Sequence, residues 1–230
     1  MKKILDIGCG GGNNKYKIYN KNYKTYGVDI DINNVNTCRN KFPDSIFQLV
    51  KPGDKLPFDN NYFDTLHSLD TLEHVDDLKQ ILEESTRVLK KGGKFIIEIP
   101  YWKSEQFLLK IKPEYWEQVH HVRMFKEGEL ENIMNNFGYE LIKKKKLNFF
   151  ENIVLYFQFK KGDIISQKGD SNVKIPYFIK LLKYCTDKES TFRNTKTSLI
   201  LGPVFLIIYP IRIILNRVFP KSISFNFIKK

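Results

Sequence analysis

Short apolar runs, many of them β-branched, alternate with helical patterns through the first 160 residues. That order belongs to a parallel sheet with crossover helices. Residues 3–7, 25–29, 46–50, 63–69 and 94–100 read as strands, each short and apolar, as strands buried on both faces should be. The clearest helix is 77–91, where Leu78, Ile81, Leu82, Ser85, Val88 and Leu89 recur on one face and Lys79, Glu83, Glu84 and Arg87 fall outside it. Asp76 or Asp77 is placed to cap it, and Gly92-Gly93 to stop it. Further helices are expected over 33–41 and 126–137, the latter closed by Gly138. Residues 139–147 and 150–160 are extended runs joined by a turn too short for a crossover helix, so an antiparallel pair is expected to finish the sheet. The expected fold is α/β, a doubly wound sheet that is mostly parallel with a C-terminal antiparallel hairpin strand. One domain over 1–160, a polar glycine-bearing linker over 161–175 and a small apolar, basic appendage over 176–230 complete the expectation.

Charge sharpens this division. Residues 1–140 carry 20 basic and 21 acidic side chains, a net −1, whereas 141–230 carry 18 and 5, a net +13. A near-neutral body with a strongly basic final third points to an anionic partner, phosphate-bearing lipid or nucleic acid, or else to a solvated surface. Within that third, residues 197–211 hold no charge over 15 positions, fewer than the roughly 20 that a membrane-spanning helix needs. With Pro203, Pro210 and Arg212 interrupting it, the stretch fits either a segment lying in an anionic membrane interface or a cap on the core. Three cysteines, Cys9, Cys38 and Cys185, are too few and odd in number for a disulfide scaffold. The opening Met1-Lys2-Lys3-Ile4-Leu5-Asp6 makes no signal-peptide stretch, so a cytoplasmic location is expected.

Candidate chemistry begins at Leu5-Asp6-Ile7-Gly8-Cys9-Gly10-Gly11-Gly12. A strand running straight into glycines lets backbone turn tightly and approach a ligand with no Cβ in the way. A dinucleotide fingerprint begun at Gly8 and Gly10 would place its third glycine where Asn13 stands. About 20 residues on, Tyr26-Gly27-Val28-Asp29 ends a strand in a carboxylate, the position from which both ribose hydroxyls of an adenosine ligand can be bound. Asp31 reads as the cap of the next helix.

Gly8-x-Gly10-x-Gly12 preceded by Asp6 resembles motif I of the class I S-adenosylmethionine-dependent methyltransferases. Leu56-Pro57-Phe58-Asp59-Asn60-Asn61-Tyr62-Phe63-Asp64, then Leu72-Glu73-His74-Val75, then Arg87-Val88-Leu89-Lys90-Lys91-Gly92-Gly93 are similar, in order and spacing, to the small-molecule and surface-glycan branch of that family. Including the helix that ends near Tyr139, the likeness covers about residues 3–140. It implies a Rossmann-like fold and S-adenosylmethionine as cofactor. Asp6, Gly8, Cys9, Gly10 and Gly12 would surround its methionine portion, Asp29 and Ile30 its ribose side, and Leu69 the methionine end. Where the family often places an acidic adenine reader this chain has Pro52, with Asp54 two residues on as the substitute.

A hydroxyl acceptor must lose a proton, which calls for a base near the methyl group. Asp70, Glu73, His74, His120 and His121 are the residues at hand, with Asp70, His74 and His121 singled out as catalytic candidates; each has an alternative reading as a helix cap or supporting partner. His120-His121-Val122-Arg123-Met124-Phe125 resembles the family segment bordering the acceptor site, and Arg123 could hold an acceptor's phosphate or carboxylate. Tyr101, Trp102, Tyr115 and Trp116 fit a lid and fit simple packing equally. No His/Cys cluster has metal-ligand spacing, so no metal is invoked. Nucleic acid is argued against, because Lys143–Lys146 are not interleaved with stacking aromatics. The expected function is methylation, at oxygen, of a small or lipid-linked acceptor such as a surface-glycan, isoprenoid or quinone-like precursor, on a membrane face reached through 176–230. The alternative is a membrane-associated protein that binds the cofactor without catalysis.

Overall fold

The computed structural model describes residues 1–12, 22–111, 113–147 and 220–230. Seven strands form one sheet: β1 (Lys2–Ile7), β2 (Tyr23–Asp29), β3 (Ile46–Leu49), β4 (Phe63–Leu69), β5 (Leu89–Pro100), β6 (Tyr139–Leu147) and β7 (Ser222–Lys229), in the order β3-β2-β1-β4-β5-β7-β6. β1 pairs in parallel with β2 and β4, β2 with β3, and β4 with β5. The helices are α1 (Ile32–Lys41), α2 (Leu78–Val88), α3 (Trp102–Ile111), α4 (Tyr115–Val119) and α5 (Glu129–Asn136), with a 3₁₀ turn at Leu72–His74. The expected mixed, mostly parallel α/β sheet is therefore the one observed.

Among the described residues the pattern-derived elements are present with three informative shifts. Asp31 caps α1 by accepting from Asn33 N–H (2.8 Å), and Asp77 caps α2 by accepting from Gln80 N–H (2.9 Å). Helix α2 stops at Val88, short of the glycines, because fully buried Leu89 leaves the helix to pair with Phe63. Gly92-Gly93 then lie in an irregular lead-in where the β4–β5 register shifts between Phe63 and Thr65, so they loop out chain and do not end the helix. The third shift concerns the sheet's end. Among the described residues the neighbour of β6 is β7, antiparallel to it: Lys221 N–H donates to Leu147 O (2.9 Å) and Lys230 N–H to Gly138 O (3.0 Å). Ser222–Lys229 falls in the stretch assigned above to the appendage, yet Ile223, Phe225 and Phe227 are buried. Residues 150–160, the expected hairpin partner, and the uncharged run 197–211 lie outside the described residues. Among the described residues no helix is long and apolar enough to cross a membrane.

Chain contacts divide the molecule into two compact units: Met1–Ile99 with Val122–Lys145 and Ser224–Lys230, and Pro100–His121 with Lys146–Ile223. The first holds most of the sheet, with Leu5, Phe63, Leu66, Phe95, Ile97 and Tyr139 among its most deeply buried side chains. In the second, Leu108 of α3 packs against Tyr115 of α4, with Leu109 and Val119 beside them.

Candidate functional site

At the C-terminal ends of β1, β2 and β4, where open α/β sheets bind ligands, the first unit has a cleft of about 410 Å³. That volume lies within the roughly 300–1,000 Å³ usual for small-molecule sites. β1 enters it through Gly8, whose φ is +73°. A Cβ added there would come within 2.4 Å of the Thr71 side chain, so both backbone angle and space demand glycine. Gly8 and Cys9 N–H both donate to Val28 O (2.9 and 3.0 Å), which ties the loop to the end of β2.

The carboxylate of Asp29 organises the other wall. Its Oδ2 accepts from Gly10 N–H (2.7 Å), and its Oδ1 accepts from Asp31 N–H (3.0 Å) and the Asn34 amide (3.2 Å). These donors come from the glycine loop and from the start of α1, so one side chain locks two loops and faces the cleft with its orientation set. Behind the glycine loop, Cys38 Sγ donates to Gly10 O (3.1 Å) and Lys41 Nζ to Gly11 O (2.9 Å). Cys9 sits in the apolar cluster with Val35, Cys38, Phe42 and Phe47. A hydrogen bond with the Cys38 thiol, together with burial, pushes the Cys9 thiol far above the ordinary cysteine range. It is an uncharged packing residue at neutral pH.

The floor is the loop after β3. Val50 N–H donates to Asp29 O (3.0 Å), and the Gln80 amide donates to Asp54 O (2.8 Å), holding the loop against α2. Its continuation is fastened by a Glu84–Arg87 latch. Glu84 accepts from Leu56 N–H (2.7 Å), while Arg87 donates to the carbonyls of Leu56 (2.9 Å) and Phe58 (2.7 Å) and to Glu84 (2.6 and 2.8 Å). Arg87 holds the Glu84 carboxyl below its ordinary range. Opposite, β4 is followed by Asp70, whose φ of +48° is unusual for a residue with a side chain and costs roughly 1–3 kcal/mol. Its N–H donates to Glu98 O (2.9 Å).

The cleft therefore gathers Gly8, Gly10, Asp29, Ile30, Asp54, Asp70 and His74 from the residues named in the sequence. Asp6 is buried in β1, Cys9 and Gly12 belong to the packing behind the loop, and Leu69 ends β4; none of these four lines it. His121 is in the second unit, buried, with its Nδ1 2.6 Å from Glu105 Oε1. Thr71, Gln80 and the Glu84–Arg87 latch escaped the sequence reading as site-shaping residues. Arg87 stood in a quoted motif, but nothing local shows what it holds. The lining carries Asp29, Asp54, Asp70, Asp76 and Asp77 against Lys51, a balance that favours a cation.

A parallel sheet with a glycine turn at the first strand and an oriented carboxylate at the second defines a nucleoside-binding α/β domain. Residues 5–97 match the family model described as a methyltransferase domain, and over that stretch the chain is similar to S-adenosylmethionine-dependent methyltransferases. The sarcosine/dimethylglycine N-methyltransferase of Aphanothece halophytica is 32 % identical over 109 residues, 43 % of this chain and 38 % of that protein. The ubiquinone biosynthesis O-methyltransferase of Pelagibacter ubique is 29 % identical over 96 residues, 40 % of this chain and 39 % of that protein. The match thus spans about two fifths of each relative. In fold, the chain is similar to the geranyl diphosphate C-methyltransferase of Streptomyces coelicolor, solved with Mg²⁺, geranyl diphosphate and S-adenosylhomocysteine. The TM-score is 0.60, at 12 % identity, covering 100 % of this chain and 71 % of that one.

Proposed function

We propose that this protein transfers the methyl group of S-adenosylmethionine to an oxygen of a small or lipid-linked acceptor. The observation that carries the cofactor half is Asp29, a carboxylate held by three donors of its own chain at the head of a cleft whose opposite wall is bare glycine backbone. In this reading Asp29 accepts both ribose hydroxyls, Ile30 and the loop to Asp54 flank the adenine, and Gly8 and Gly10 line the methionine portion. Asp6, Cys9, Gly12 and Leu69 support these groups from behind. When bound, the cofactor supplies an already activated methyl group, so the protein's work is alignment and exclusion of water.

The relatives' names include N-, O- and C-methyltransferases, so the domain does not fix the acceptor atom. What favours oxygen is the supply of proton acceptors. Asp70 and His74 line the cleft. A hydroxyl needs such a base, whereas a tertiary amine does not. The quinone and prenyl diphosphate named for two of the relatives support a lipid-like acceptor. Calorimetry with S-adenosylmethionine tests the first half: Asp29→Ala should abolish measurable binding, and native-like affinity in that variant sinks the ribose assignment. For the second half, purified protein is mixed with a cell lipid extract, and a lipid that gains one CH₂ as S-adenosylhomocysteine accumulates is sought by mass spectrometry.

A further inference from the structure

Between the loop after β3 and the start of α2 the lining of the cleft changes from glycine backbone to side chains. Val50, Pro52, Val75 and Ile81 are apolar groups suited to the faces of a flat ring. Gln80, half-buried, lines the same stretch and is polar and uncharged.

The chain holds Gln80 by its main chain and by its side chain. Lys51-Pro52-Gly53-Asp54 makes a tight turn: Asp54 N–H donates to Lys51 O (3.1 Å), with proline second and Gly53 third at a φ of +85°. The turn presents Asp54 O to the first turn of α2, where Gln80 Nε2 donates to it (2.8 Å). Gln80 N–H is itself taken by the Asp77 cap (2.9 Å). A backbone carbonyl only accepts, so the amide atom facing Asp54 O is the nitrogen, and Oε1 is turned away from it. Among the described residues Oε1 accepts no hydrogen bond, and one of the two Nε2 hydrogens is left over.

What remains is an acceptor beside a donor on one planar, fixed group. Adenine presents the complement, an amino donor at N6 next to a ring nitrogen that accepts, and side-chain amides pair with it in this bidentate way. A carboxylate has no hydrogen to give the ring nitrogen. That separates Gln80 from Asp54, Asp76 and Asp77, which line the cleft beside it.

We infer, on the cofactor half of the reading above, that Gln80 is the residue of this chain that reads adenine. Its Oε1 accepts from the N6 amino group, and its second Nε2 hydrogen goes to the neighbouring ring nitrogen. Asp54, the sequence candidate for this task, contributes its backbone carbonyl, which fixes the amide, and not its carboxylate.

Calorimetry on the full chain tests this with S-adenosylhomocysteine and S-inosylhomocysteine, whose base carries a carbonyl oxygen in place of the N6 amino group. The native protein should bind the adenine compound about 10- to 100-fold more tightly. Gln80→Leu, similar in size and compatible with a helix, should bring the two affinities together, with folding checked by circular dichroism. An amide that merely tied the loop to α2 would weaken both compounds alike on removal and leave their ratio as it was. Gln80→Glu keeps an acceptor but loses both N–H groups; it should also narrow the gap and serves if Gln80→Leu does not fold. Equal affinities in the native protein, or a folded Gln80→Leu that keeps the native preference, overturns the inference. So does Asp54→Ala if it erases the preference while Gln80→Leu does not, since the carboxylate is then the reader. Native protein that binds neither compound overturns the cofactor reading itself.

Discussion

Gly8 is constrained twice, and the two constraints separate by mutation. Its φ of +73° disfavours any side chain, and an added Cβ would overlap Thr71 at 2.4 Å. Thr71 has no room to yield freely, since its Oγ1 donates to Leu69 O (3.1 Å) and Ile7 O (3.3 Å), bridging the ends of β4 and β1. Gly8→Ala should therefore cost about 2–3 kcal/mol in denaturant unfolding, part conformational strain and part overlap. Adding Thr71→Ser, which removes the clashing methyl carbon, should recover some of the second part and none of the first. A double variant no more stable than Gly8→Ala would show that overlap contributes nothing. Residues of this kind were half legible in the sequence. The run of glycines announced a turn, but the side chain that presses on it is 63 positions away.

Helix α2 is more than a crossover. Its outward Glu84 and Arg87, read from periodicity as solvent-facing, turn across to the loop after β3 and fasten Leu56 and Phe58 by backbone groups. Their side chains are only 10 % and 26 % exposed. Glu84 has a folded pKa below its ordinary 4.5 because of Arg87. Its stabilisation is complete above that ordinary value and is lost as pH falls through the lowered one. Glu84→Gln should thus cost about 1–3 kcal/mol at pH 7, and the wild-type advantage should shrink in unfolding curves taken below pH 4. An advantage that persists unchanged at pH 2.5 would place the latch's energy elsewhere. At the same C-terminal end of α2, Lys229 of β7 donates to Thr86 O and Leu89 O (both 2.7 Å), satisfying carbonyls that the helix leaves open.

At the scale of the whole molecule, the last strand closes a sheet whose other members were complete by residue 147. β7 lies between β5 and β6 and buries Phe225 and Phe227. Truncation at residue 221 should leave β5 and β6 with open edges and remove several kcal/mol of apolar burial. The expected outcome is loss of cooperative unfolding by circular dichroism. A truncated chain that melts as sharply as the full one would show that β7 is dispensable. Phe227→Ala, a smaller change in the same place, should cost about 3–5 kcal/mol. The basic excess of the final third consequently belongs to a stretch whose last strand is structural.

The sequence by itself determined the parallel first half of the sheet, the helix cap at Asp31 and a cap at Asp76 or Asp77, the glycine turn and the carboxylate of Asp29. These depend on periodicity and on backbone preferences that act over a few residues. Tertiary structure alone decided which extended run pairs with β6, what Arg87 holds, where the α2 helix gives way to Leu89, and that Glu105 meets His121. Nothing in the residues of the run 222–229 says which strand it joins. Which run is buried beside β5, and which carboxylate reaches which base, follows only from contacts between segments far apart in the chain, where burial and hydrogen-bond satisfaction choose among locally equivalent candidates.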